Sequence, residues 1–140
     1  MNRQKKRLYL IKLAYWLGIG ADGLWAIALF FPVLFGILVG KQEFQPDLQT
    51  QYIMWLGGSL MTGWTLLLFW AIKKPVERRV VILLTAIPVV LGLFITSIVD
   101  YSNGNTFILW ILIKCPILLI SMITSYVLSC RISQEKNQKK

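Results

Sequence analysis

The chain has 140 residues, 56% of them hydrophobic and 15% charged, with a mean hydropathy of +0.64. That balance excludes a soluble domain of ordinary composition, in which about a quarter of the residues are charged. A net charge of +9 would suit nucleic acid, but the Lys and Arg residues cluster at the ends of apolar runs, so they read as membrane-topology signals and no nucleic-acid partner is expected.

The first apolar run extends from Leu8 to Gly40, behind Arg3, Lys5, Lys6 and Arg7. It exceeds the ~20 residues that a ~30 Å hydrocarbon core requires. A basic start imitates a signal peptide, but Asp22 interrupts the apolar stretch and no small-residue cleavage site is evident, so an uncleaved helix is expected. Pro32 has no backbone donor, which should leave the carbonyl of Ala28 unpaired and bend the helix. Asp22 falls ~15 to 22 Å from the basic flank at ~1.5 Å per residue, near the membrane centre. It lies on the stripe Ala14, Gly18, Asp22, Ala26, a small-residue face suited to close helix contact. A carboxylate at that depth costs at least ~3 kcal/mol unless paired, protonated or wetted, so Asp22 should face other helices.

Segment 41–51 is polar, contains Pro46 and reads as a short loop. The second run, Tyr52 to Ile72, holds Gly57 and Gly58 inside an apolar helix, where they form no phosphate-binding loop. Lys73, Lys74, Arg78 and Arg79 separate it from the third run, Val80 to Val99, in which Pro88 should free the carbonyl of Leu84 and kink the helix. A turn from Asp100 to Asn105 leads to the fourth run, Thr106 to Cys130, where Pro116 should free the carbonyl of Leu112. Lys114 lies ~12 Å inside the start of that run, with Ser121, Ser125 and Ser129 continuing its face. Lys114 is the natural partner of Asp22, but the two depths differ by anything from nearly zero to ~10 Å by the same helix rise. A relay or ligand anchor, a buried structural pair and a Lys that snorkels outward therefore all stay open. Cys115 and Cys130 share this helix fifteen positions apart, too far to pair within one chain.

Four apolar runs with no polar face predict an all-α, polytopic membrane protein, a compact bundle of transmembrane helices at about 8–40, 52–72, 80–99 and 106–130 in a single membrane domain, 1–140. The ~10-residue alternating strands of a β-barrel are absent. The N-terminal flank, the second linker and the tail with Arg131, Lys136, Lys139 and Lys140 hold nearly all the basic residues, which predicts both termini in the cytoplasm of a cell-membrane protein. Tyr9, Tyr15, Trp16, Trp70 and Tyr126 should mark the inner interface and Tyr52, Trp55, Tyr101 and Trp110 the outer one, with Trp25 and Trp64 packed between helices. Small-residue pairs Gly36 with Gly40, Ser59 with Gly63 and Gly92 with Thr96 read as packing contacts. Pro32 to Gly36 echoes Pro88 to Gly92, and Tyr52 to Trp55 echoes Phe107 to Trp110, which would suit duplicated hairpins.

The chain has no His and no Cys-x-x-Cys, so no metal site, haem ligation, Ser-His catalysis or dithiol exchange is expected, and one intramembrane Asp makes no aspartic dyad. No catalytic residue and no cofactor are assigned, and an enzyme is not expected. The stretch Pro75-Val76-Glu77-Arg78-Arg79 running into Val80 to Leu93, with Thr85, Pro88 and Gly92, and Gly63-Trp64-Thr65 upstream, resembles a family of small four-helix prokaryotic membrane proteins with no assigned function. The resemblance implies the same topology and no catalytic residue. Small multidrug transporters are similar in architecture only, since they use Glu, in shorter chains.

The sequence therefore points first to a non-enzymatic membrane component acting through a protein partner, lipid or homo-oligomer, with anionic headgroups at the cytoplasmic face as the default acidic partner. The competing class is a small oligomeric transporter or channel, with Asp22, Lys114, Ser121 and Ser125 as the substrate- or ion-binding candidates. A cavity adjoining both Asp22 and Lys114 would favour the second class.

Overall fold

The computed structural model describes residues 3–41, 43–105 and 108–138, with residues 3, 136 and 137 described in the backbone alone. Thr106, Phe107, Lys139 and Lys140 of the sequence reading lie outside the described residues, as do the side chains of Arg3 and Lys136. All regular elements among the described residues are helical: α1 (Arg3–Phe30), α2 (Pro32–Val39), α3 (Leu48–Ala71), α4 (Arg79–Leu84), a π-helical stretch (Thr85–Leu91), α5 (Gly92–Ser102) and α6 (Leu109–Asn137). Four segments, Gln4–Phe30, Leu48–Ala71, Arg79–Ser102 and Leu109–Glu135, are long and apolar enough to cross a membrane. Arg7, Glu135 and the 72–78 linker share one end, the basic end, and the opposite one is the far end.

The first apolar run is two helices. Phe31 adopts an extended conformation (φ −118°, ψ 99°), and Pro32 opens α2 at a position where its missing donor breaks no hydrogen bond. The expected orphan at Ala28 does not arise: the amide of Phe31 donates to the carbonyls of both Ile27 and Ala28, at 3.3 and 3.2 Å. With the chain redirected there, Phe35 comes within 6.1 Å of Trp25, ring centroid to ring centroid. α2 ends on Gly40 at φ 76°, with the amide of Lys41 donating to Gly36 at 2.8 Å. This is the left-handed closure that Gly makes without strain. Gly36 is required beside it, because a Cβ there would stand 2.6 Å from the carbonyl oxygen of Lys41. Asp47 then caps α3, accepting from the Thr50 amide at 3.2 Å.

α3 packs antiparallel on α1. Trp16 meets Phe69 edge to face at 5.4 Å, and Leu29 reaches the Gly57 position. On its other side α1 meets α6. The methyl of Met122 sits over Gly18, so that a Cβ there would lie 2.8 Å from it, and Arg7 pairs with Glu135 at 2.7 Å. α4, the π stretch and α5 each pack on α6 as well. Toward the basic end Ile11, Tyr15, Leu68, Ile82 and Met122 are buried in one apolar cluster. Tyr15 donates to the carbonyl of Arg78 at 3.1 Å, while the Arg78 guanidinium covers the Trp70 ring at 3.4 Å and donates to the Trp70 carbonyl. These contacts tie the 72–78 linker onto α1 and α3.

Pro88, where the sequence predicts a kink, lies inside a π-helical stretch. Widening the ladder to i→i+5 bonds bypasses the amide that Pro88 lacks, at the expense of one extra residue in the turn. Thr85, at its start, is wholly buried; its hydroxyl donates to Val81 at 2.9 Å and accepts from the Trp64 indole at 3.0 Å. Trp64 thus packs between helices as expected. The Pro32 and Pro88 segments have unlike backbones, one opening a helix and the other inside a π turn, so their sequence echo has no counterpart in local structure.

Candidate functional site

The site is built from α1 and α6, which bring Asp22 and Lys114 to one cavity of about 220 Å³. Asp22 lies four residues beyond Gly18, and the close approach at Gly18 and Met122 draws the two helices together just below it. Trp25, Val90, Leu93, Trp110, Ile111 and Leu118 make the rest of the wall largely apolar, with Cys115 beside Lys114. The π stretch supplies Val90, and α5 supplies Leu93.

Asp22 is 2% exposed, and its Oδ2 has no hydrogen-bond partner among the described residues. Asp22 and Lys114, which the sequence left open to pair or to face a cavity, form no ion pair. The salt bridges within 4.0 Å among the described residues are Arg7 with Glu135 and Lys74 with Glu77. Lys114 instead sets its ammonium 4.5 Å from the Trp110 ring centroid, on an exposed part of α6 at the cavity rim. That contact follows from i, i+4 spacing and the negative face of the indole. Trp110 is itself held from the other side, its indole donating to the carbonyl of Leu38 on α2 at 3.1 Å. The break at Phe31 therefore serves the site, since it brings α2 across to fix this wall.

A second cavity of about 420 Å³ lies toward the far end and shares Trp25, Leu93 and Ile111 with the first. Asp100 stands in its wall, accepting from the Asn105 amide at 3.1 Å. A smaller one of about 180 Å³, on the α3 side, again has Trp25 and Leu93 as walls. Trp25 and Leu93 thus wall all three of these cavities.

Of the candidate residues, Asp22 and Lys114 are brought together, whereas Ser121 and Ser125 do not line their cavity. Ser125 and Ser129 are buried further toward the basic end, and neither hydroxyl has a hydrogen-bond partner among the described residues. They differ from Ser59, Thr62, Thr65, Thr85, Thr96, Ser97, Ser102 and Thr124, which all donate to a carbonyl one helical turn earlier. Sequence reasoning missed Trp110 as a wall, placing it at the membrane interface. Its position four residues before Lys114 was the available signal. No group of three or more metal-ligating side chains occurs among the described residues. No protein-family model, curated protein or solved structure matches the chain.

Proposed function

We propose that the protein is a small cell-membrane transporter or channel, both termini cytoplasmic, that admits a small polar solute or ion to the cavity between Asp22 and Lys114. The observation that carries this reading is the shared cavity: an acid and a base face one void without pairing with each other. Asp22 is buried with Oδ2 unpartnered while the Lys114 ammonium stands at the exposed rim, an arrangement that leaves a buried carboxylate without the direct partner a purely structural role would give it. Polar residues within membrane helices that line a cavity are the usual marks of a solute path. On this reading the basic end faces the cytoplasm, the cavities lie toward the outer side, and Lys and Arg residues of the basic end meet anionic headgroups. A role through a protein partner, lipid or homo-oligomer alone is the second reading, favoured by the long exposed face of α3.

Access and flux test the proposal. In the Cys130→Ala chain, a small membrane-impermeant thiol reagent added outside should modify Cys115 in the cavity wall. Asp22→Asn should keep the wild-type melting temperature while abolishing pH-dependent flux in liposomes. A Cys115 that stays unmodified, with wild-type liposomes that show no flux, would return the protein to the partner-dependent class.

A further inference from the structure

We infer that the cavity between Asp22 and Lys114 takes a small zwitterion, its ammonium on Asp22 and its anionic group on Lys114. The inference rests on the ligand-site reading above and narrows it to one chemical class. Asp22 is buried with Oδ2 unpartnered, and the Lys114 ammonium has an aromatic ring rather than a carboxylate beside it. A monocation would meet Asp22 but be repelled by Lys114. A monoanion has the reverse problem, and a neutral solute leaves both charges uncompensated. A zwitterion meets both at once, and the flexible four-carbon stem of Lys114 lets its three donors follow the anionic group.

Among the described residues, no other charged side chain lines this cavity, and Cys115 is the one further titratable group in its wall. On the elements packed around Asp22, α3 carries Tyr52 near its far end as its single titratable group. The third span carries Arg79, Asp100 and Tyr101 near its ends. The choice between ligand charges therefore falls to Asp22 and Lys114. Size and wall chemistry narrow the ligand further: about 220 Å³ lies below the ~300–1,000 Å³ usual for drug-sized ligands, and Trp25, Val90, Leu93, Ile111 and Leu118 suit a short apolar body. Two sources share this chemistry, a free amino acid arriving from water and the ethanolamine headgroup of a phospholipid. The exposed position of Lys114 on a helix long and apolar enough to cross a membrane leaves both routes open.

The experiment measures binding to the purified full chain by calorimetry and by melting temperature. Leucine and glycerophosphoethanolamine are the zwitterionic probes in detergent, leucinamide is the monocation and 4-methylpentanoate the monoanion. Nanodiscs of phosphatidylethanolamine are compared with nanodiscs of phosphatidylcholine. At least one zwitterion should bind, or the melting temperature should rise specifically in phosphatidylethanolamine, and that outcome identifies the source. Asp22→Asn and Lys114→Met should each weaken the effect by about tenfold or more, with Lys114→Arg retaining it, while each variant keeps a cooperative melt. Leucinamide binding as tightly as leucine, in a manner that needs Asp22 and not Lys114, would overturn the zwitterion and leave the ligand site standing. If no probe or lipid acts and the Asp22→Leu, Lys114→Met double variant is as stable as wild type, both the class and the site fall.

Discussion

Asp22 and Lys114 line one cavity from facing helices and leave each other unpaired, the ammonium being taken up by the Trp110 ring. This relationship makes a quantitative prediction. In a double-mutant cycle of Asp22→Asn and Lys114→Met, the coupling in unfolding free energy should stay at the low end of the about 0.5 to 3 kcal/mol seen for residues that share a cavity. A directly paired buried couple would lose about 3 to 5 kcal/mol on removal of one member, and a coupling of that size would contradict the observed geometry. Thermal or denaturant unfolding of the four proteins in one detergent supplies the measurement.

Ser129→Ala and Ser125→Ala should leave stability unchanged or raise it by up to about 1 kcal/mol, because each removes a buried hydroxyl without a partner. Thr85→Val should act in the opposite direction, costing about 1 to 3 kcal/mol by stranding the Trp64 indole N–H. Melting temperatures in one detergent compare the three. A Ser129→Ala chain less stable than Thr85→Val would show that the serine hydroxyls are satisfied and needed.

At the far end, Gly36→Ala should destabilise the α2 turn by about 1 to 3 kcal/mol, since the new methyl meets the carbonyl of Lys41 at 2.6 Å and Phe44 at 2.8 Å. The same variant should loosen the Trp110 wall, read as a red shift of the summed tryptophan emission. An unshifted spectrum with wild-type melting would show that α2 has no part in holding the site.

Asp47 supplies the pH dependence outside the spans. Hydrogen bonds from Thr50, through its side chain and its backbone amide, hold the Asp47 carboxyl below the usual carboxylate range. A folded-state value below the unfolded one contributes stability above the normal carboxylate range, and that stability is lost as pH falls through the depressed value. Hydrogen exchange at the amides of the first turn of α3 should therefore be protected at neutral pH and lose protection on acidification. In Asp47→Ala the protection should be weak at every pH, and equal protection in both proteins would remove the cap from the account.

Labelling decides the orientation. In a Cys115→Ala, Cys130→Ala background, Gln45→Cys and Ser102→Cys should react with an impermeant thiol reagent applied to intact cells, and Gln138→Cys should not. Reaction at residue 138 would reverse the proposed assignment of the basic end to the cytoplasm.

Hydropathy made the four long helices legible, because length and uniform apolarity are properties of a segment on its own. Pro32 signalled a bend in the first run, but it could not show that Phe31 would become extended and that α2 would swing toward Trp110. That outcome depends on the Leu38 carbonyl and the Trp110 indole, residues far apart in sequence. Asp22 and Lys114 stood out as charges in apolar surroundings, and both proved to line the cavity. The ring that takes up Lys114 stands one helical turn before it and was legible as a candidate, but the sequence did not decide between that ring and Asp22. The hydroxyl behaviour was equally hidden: Thr124 and Ser125 are neighbours of similar chemistry, yet one bonds back along the helix and the other has no partner. Exposed Thr124 has no facing helix, whereas Ser125 lies among the buried residues.

The π stretch between Thr85 and Leu91 also sets the rotational phase of the third span. One extra residue in a turn offsets everything after it by about 100° relative to an uninterrupted helix, at 3.6 residues per turn. Thr85 before the stretch and Leu93 after it therefore occupy their present azimuths only while that surplus residue is absorbed. Deleting Pro88 itself, which removes the surplus residue together with the missing donor, should let the segment wind as an ordinary helix and keep both halves in phase. A one-residue deletion in α6 would carry Lys114 around the helix relative to Ser125 and everything beyond it. Tolerance to one-residue deletions is thus a property of this stretch that the long uninterrupted helices do not share.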